Sequence, residues 1–123
     1  MKSARSLKAL GDAAEEAAAR FLRSQGYTII TRNFSTRSGE VDIIAADGET
    51  LCFVEVRSRA GDDTAPPYTS VGRTKQARVR AAASAYVARM RLQNKLCRFD
   101  VLSLVPDAGQ KSGWEIQLLR DAF

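Results

Sequence analysis

A chain of 123 residues, 45% hydrophobic and 27% charged, suits one folded domain able to bury roughly two-thirds of its unfolded surface. It contains no histidine, which removes histidine metal sites, Ser-His-Asp triads and imidazole general bases at once. Its net charge of +5 and pI near 9.6 point towards polyanionic partners.

The amino-terminal MKSARSLKALGDAAEE lacks the apolar stretch of a signal peptide, and no run approaches transmembrane length, so a cytoplasmic protein with no membrane partner is expected. No GxGxxG or GxxxxGKS motif is present to cradle a phosphate. Cys52 and Cys97 lie far apart without a CxxC pattern and read as reduced, buried thiols. From about Leu7 to Gln25 the chain is alanine-rich, and Leu10, Ala14, Ala17, Ala18, Phe21 and Leu22 make one apolar face of a helix. Gly26 suits its left-handed C-cap. Glu15 falls on the border of the buried face; on this helix alone it reads as a solvated acid, with a reach into a site as the alternative.

Tyr27–Asn33 reads as a first strand, leading into the stretch around which the chain is organised, GEVDIIAADGETLCFVEVRSR from Gly39 to Arg59. Two strands, Glu40–Ala46 and Thr50–Ser58, are joined at Asp47-Gly48, where a type I′ turn is expected. That loop pairs Asp42 with Phe53 and Glu40 with Glu55. Strand alternation puts Asp42, Glu55 and Arg57 on one face with Ile44, Leu51 and Phe53, and Glu40 beside them. Val41, Ile43, Cys52, Val54 and Val56 make the other. Both faces are apolar enough to be covered, so the acids stand at the end of a buried hairpin and need a cation or hydrogen-bond donors.

A loop about 59–70, with Gly61, Pro66 and Pro67, follows the candidate site and reads as a mobile functional element, with a plain disordered connection as the alternative. A second helix, about Gly72 to Leu92, turns Gln76, Val79, Ala83, Tyr86 and Met90 inward. Between Val71 and Arg98 the chain holds eight cations, among them Arg73, Lys75, Arg78 and Arg80, and no acid. Such clustering is what phosphate neutralisation requires; an ordinary solvated face would mix signs. Arg98–Val105 and Trp114–Leu118 complete an order α-β-β-β-α-β-β. The first three strands form an antiparallel meander, and the crossover helix makes the next strand parallel, giving a mixed α/β sheet flanked by helices.

Two carboxylates on adjacent strands, with a backbone carbonyl, make a hard oxygen site for Mg²⁺ or Mn²⁺ that a phosphate could bridge, with Glu15 joining through water or holding a second ion. A structural ion pair of an acid with Arg57 is the alternative, although Glu40, Asp42 and Glu55 outnumber that arginine. The motifs Gly39-Glu40-Val41-Asp42, Phe53-Val54-Glu55-Val56-Arg57, Gly11-Asp12-Ala13-Ala14-Glu15, Arg32-Asn33-Phe34, Lys75-Gln76 and Arg98-Phe99-Asp100-Val101 together resemble the bacterial YraN-like family. That resemblance covers about Gly11 to Val101 and implies a restriction-endonuclease-like three-layer α/β/α core with a PD-(D/E)xK nuclease site, similar to that of archaeal Holliday junction resolvases. It implies Glu15, Asp42, Glu55 and the Arg57 position as active-site residues and Gln76 as an accessory. Arg57 stands where the pattern has lysine, and arginine is essentially never deprotonated; Lys75 is the candidate substitute. The expected function is a Mg²⁺- or Mn²⁺-dependent endonuclease on structured or branched nucleic acid, DNA before RNA. A catalytically impaired binding module on the same scaffold is the alternative, and a homodimer is the assembly considered.

Overall fold

The computed structural model describes residues 4–58 and 72–123; the loop expected at 59–70 lies outside the described residues. Helix α1 (Ala4–Ser24) precedes strands β1 (Thr28–Ser35), β2 (Glu40–Asp47) and β3 (Thr50–Ser58). Helix α2 (Arg73–Met90) and strands β4 (Leu96–Pro106) and β5 (Trp114–Leu119) follow. The expected element order α-β-β-β-α-β-β is the observed one. The five strands lie side by side in sequence order, β1-β2-β3-β4-β5. All neighbours are antiparallel except β3 and β4, which the crossover through α2 makes parallel.

The sheet is buried on both faces, one under each helix. Ala18, Ala19 and Leu22 of α1 pack on Ile43, Ala45, Cys52, Val54, Leu102 and Leu104. Val79, Ala82, Ala83 and Tyr86 of α2 pack on Val41, Ile44, Leu51 and Phe53. Small alanines let both helices approach closely, and the result is a three-layer α/β/α core. Helix α1 ends as its glycine requires: Gly26 takes φ +92°, and the Tyr27 amide donates to the Leu22 carbonyl. On α2 the inward stripe is Val79, Ala82, Ala83 and Tyr86, whereas Met90, expected inward, is exposed at the helix end. Cys52 is buried as expected, but Cys97 is exposed; both are free thiols.

The central hairpin departs from expectation in register. Asp47 pairs with Thr50, so the loop is Gly48-Glu49, and every predicted pairing moves by two residues. Only Gly48 takes a positive φ (+59°), as type II′ requires; type I′ would need it at Glu49 as well. A shift of two preserves the faces of regular strands. Its effect is to place Asp42 next to Glu55, one step beyond the last ladder pair, Ile43 and Val54.

The strict alternation predicted for β2 also fails at one point. Asn33 adopts the left-handed region (φ +56°), a conformation Asn tolerates better than most residues. Arg32 therefore points towards α1 while Phe34 meets Tyr86 of α2, although two residues along a regular strand would share a face. The paired strand breaks in step: Ile43 faces α1 and Val41 faces α2, with Asp42 between them. Gly39 secures this end of the sheet. A Cβ there would lie 1.8 Å from the Arg78 carbonyl oxygen, so only glycine lets the loop before β2 abut the backbone of α2.

Candidate functional site

Asp42 and Glu55 meet where β2 and β3 part. The Val56 amide donates to Asp42 Oδ2 at 2.8 Å, which turns that carboxylate into the gap between the strands. On the α1 side Asp42 borders a cavity of about 330 Å³, lined also by Gly11, Asp12, Glu15, Val56 and Ser58. On the α2 side Glu55 is 1% exposed. Its Oε1 lies 3.2 Å from Lys75 Nζ, and its Oε2 is buried with no hydrogen-bond donor among the described residues. Burial, and then the neighbouring Asp42 carboxyl, raise the Glu55 pKa to about 8 against the opposing pull of the Lys75 ammonium. Two acids and one lysine thus surround the split, whereas the alternation predicted Asp42, Glu55 and Arg57 on one face.

Glu15 is not the solvated acid that its helix suggests. Arg32 Nε and Asn33 Nδ2 both donate to its Oε1 at 3.0 Å, and it lines the same cavity as Asp42. Arg32 also donates to Glu16 at 3.0 Å and holds that carboxyl below the usual range. Arg32 and Asn33 enter the sequence reading only as a matching motif. The signal for their role is the asparagine itself, whose left-handed backbone and amide together aim the pair at α1.

Arg57 projects on the Glu55 side of β3, in register with Ser103 of β4, and is half-buried; both Arg57 and Gln76 are engaged in contacts of their own. A cation from another element, Lys75 of the first turn of α2, stands beside Glu55. The structure therefore brings together Asp42, Glu55 and Lys75, with Glu15 across the cavity on the α1 side. Among the described residues, no three His, Cys, Asp or Glu side chains gather closely enough to hold an ion without movement.

The basic run of α2 is acid-free in sequence but not in space. Arg78 lies 3.7 Å from Glu40, and Lys75 is paired with Glu55. Arg80 lies over the rings of Phe99 and Phe123 and Arg89 over Phe34, while Arg73 is exposed. The last motif, Arg98-Phe99-Asp100-Val101, has a structural use. Asp100 is fully buried and accepts from Arg98 Nε (2.8 Å), the Asp121 amide (2.9 Å) and the Tyr27 hydroxyl (2.9 Å). Arg98 also reaches Asp47 at 3.0 Å, and burial with the Asp100 carboxylate pushes the Tyr27 phenol up to about 12. These bonds tie β4 to the β2–β3 turn and to the chain after β5, on the α1 face of the sheet, opposite the face that Glu55 takes.

The chain matches the Uncharacterised protein family UPF0102 over residues 14–104. It is 44% identical to a UPF0102 protein of Symbiobacterium thermophilum over 93% of this chain and 95% of the relative. It is 42% identical to one of Hahella chejuensis over 93% and 89% of the two chains. With one of Chlorobaculum tepidum it shares 40% identity over 93% and 91%. The matched span runs from α1 to β4 and includes Glu15, Asp42, Glu55 and Lys75. The chain belongs to the UPF0102, YraN-like family.

Proposed function

We propose that this protein binds nucleic acid in the cytoplasm and carries a PD-(D/E)xK-type site on a restriction-endonuclease-like fold. Its activity would be divalent-metal-dependent hydrolysis of phosphodiesters in structured or branched nucleic acid, DNA before RNA. One observation carries the reading: a fully buried glutamate, Glu55, whose Oε2 has no donor among the described residues, stands beside a second acid where two strands part. A buried carboxyl without full hydrogen bonding is costly, and a fold keeps one at a strand split when it has a use there.

The donor set fits Mg²⁺ or Mn²⁺. Asp42 and Glu55 would hold the ion, with Glu15 joining through water, and all three offer the oxygen ligands such ions prefer. When bound, a divalent ion supplies charge stabilisation to a phosphoryl oxygen. The chain's own residues do the rest. Lys75 holds a positive charge against Glu55 and, at 55% side-chain exposure, can turn to a phosphate. Arg73 and Arg78 extend the cationic surface along α2 for the flanking phosphates. Arg32 and Asn33 keep Glu15 in place.

A second reading, a binding module without useful turnover, is favoured by the Lys75–Glu55 contact, which already neutralises one of the acids a metal would use. A panel of single-stranded, duplex, flap and four-way DNA, incubated with Mg²⁺ or Mn²⁺, separates the two. Cleavage by the parent protein and its loss in Asp42→Asn would support the nuclease. Salt-sensitive binding without cleavage would support the module, and neither cleavage nor binding would reject both.

A further inference from the structure

The α2 side of the sheet carries an aromatic group that the acidic site does not use. Phe53 and Phe99 stack with centroids 5.6 Å apart, and Phe99 and Phe123 stack at 5.1 Å. The Arg80 guanidinium lies 4.6 Å from the Phe99 ring centre and 5.5 Å from that of Phe123. Beside this stack opens a cleft of about 310 Å³ between Ala83, Ser84 and Val87 of α2 and Cys97 and Phe99 of β4, backed by the fully buried Phe53 and with Arg80 at its rim. Small residues on the helix leave the room. Among the described residues that line it, Arg80 is the one charged group.

We propose that this cleft binds one unstacked nucleobase of a single-stranded segment, an inference that rests on the nucleic-acid reading above and extends it from phosphates to a base. A space with apolar walls, a guanidinium plane at the mouth, the Ser84 hydroxyl and the Cys97 thiol suits a base, whose faces stack on rings or on arginine and whose edges need hydrogen bonds. The surrounding charge suits a polyanion: beside Arg80 at the rim, the exposed Arg89, Arg91 and Lys95 follow on α2 and just after it. Position supports the same occupant. Phe53 precedes Glu55 by two residues on one side of β3, about 7 Å along the strand. A base held there would deliver the adjoining phosphate near Lys75 and Glu55. A paired base cannot enter, so the cleft would select flaps, gaps and junctions over blunt duplex.

The test uses the full chain and two oligonucleotides, a single strand carrying one fluorescent adenine analogue and a blunt duplex of matched length. Arg80→Lys keeps the charge but removes the planar fork, and Phe99→Leu removes the aromatic wall of the cleft while keeping an apolar side chain there. Each should weaken single-strand binding about 5- to 100-fold, the range expected for losing one stacked base, and should abolish the analogue's fluorescence change. Duplex affinity should stay as in the parent. Arg73→Glu with Arg78→Glu should weaken both substrates alike. Unchanged single-strand binding in both cleft variants, with loss in the charge-reversed protein, would overturn the base site and leave the phosphate reading standing. Failure of the parent to bind either oligonucleotide at low salt would overturn both. An apolar dye that occupies the cleft and is not displaced by the oligonucleotide would assign it to a protein partner and overturn the proposal.

Discussion

Replacing Glu55 by glutamine tests the charge state at the heart of the site. The folded-state pKa of Glu55 is raised from an ordinary 4.5 to about 8 by burial and by Asp42, with Lys75 pulling the other way. Between those values the folded protein holds a proton that the unfolded chain has released. The stability this contributes is complete below pH 4.5 and is lost as pH rises through 8. At roughly 1.4 kcal/mol per pH unit the full loss reaches about 5 kcal/mol, and coupling to Asp42 and Lys75 makes about 3 kcal/mol a working figure. Glutamine has the same shape and no charge, so it removes that slope. Urea unfolding from pH 4.5 to 9, without metal, should show parent and Glu55→Gln proteins of similar stability at the acid end. At pH 9 the variant should be more stable by about 2–4 kcal/mol. Saturating Mn²⁺ should stabilise only the parent, and more so as pH rises, because a cation favours the ionised carboxylate. A variant destabilised equally at every pH would refute the reasoning. Glu55 would then be ionised in the folded protein, its contact with Lys75 a structural salt bridge.

Gly39→Ala should destabilise by about 1–3 kcal/mol in urea unfolding. A Cβ that meets the Arg78 carbonyl oxygen at 1.8 Å, where real contacts stay beyond 3.0 Å, forces the loop and α2 apart by about 1.2 Å; wild-type stability would mean that this approach is not as close as it stands. Asp100→Ala should cost about 3–5 kcal/mol, because it strands Arg98, Tyr27 and the Asp121 amide together; it should leave any Mn²⁺-induced stabilisation intact, since the network lies on the opposite face of the sheet from Glu55. If the protein cleaves, single-turnover assays should show Lys75→Ala losing about 10²-fold or more, while Arg57→Lys changes little; the opposite ranking would return the essential cation to β3.

The sequence alone was enough for the order of elements, the mixed sheet and the two covered faces, because each follows from local rules. Period-two and period-3.6 patterns distinguish strands from helices, and a strand, a crossover helix and a strand must run parallel. Asp42, Glu55 and Lys75 were each visible too, as acids and a cation out of place beside buried segments. How they meet was not visible. The turn Asp47-Gly48-Glu49 can place glycine at either central position, and the choice shifts the register by two, which decides whether Asp42 stands beside Phe53 or beside Glu55. The side chosen by Glu15 depends on a single left-handed residue, Asn33, which reverses the strand's alternation and aims Arg32 at α1. Lys75 reaches Glu55 because Gly39 lets the loop before β2 abut α2. These contacts join segments 17 to 39 residues apart, and no periodicity within either partner records them. Burial of Glu55 likewise depends on layers packed above and below it, so its raised pKa belongs to the tertiary structure alone.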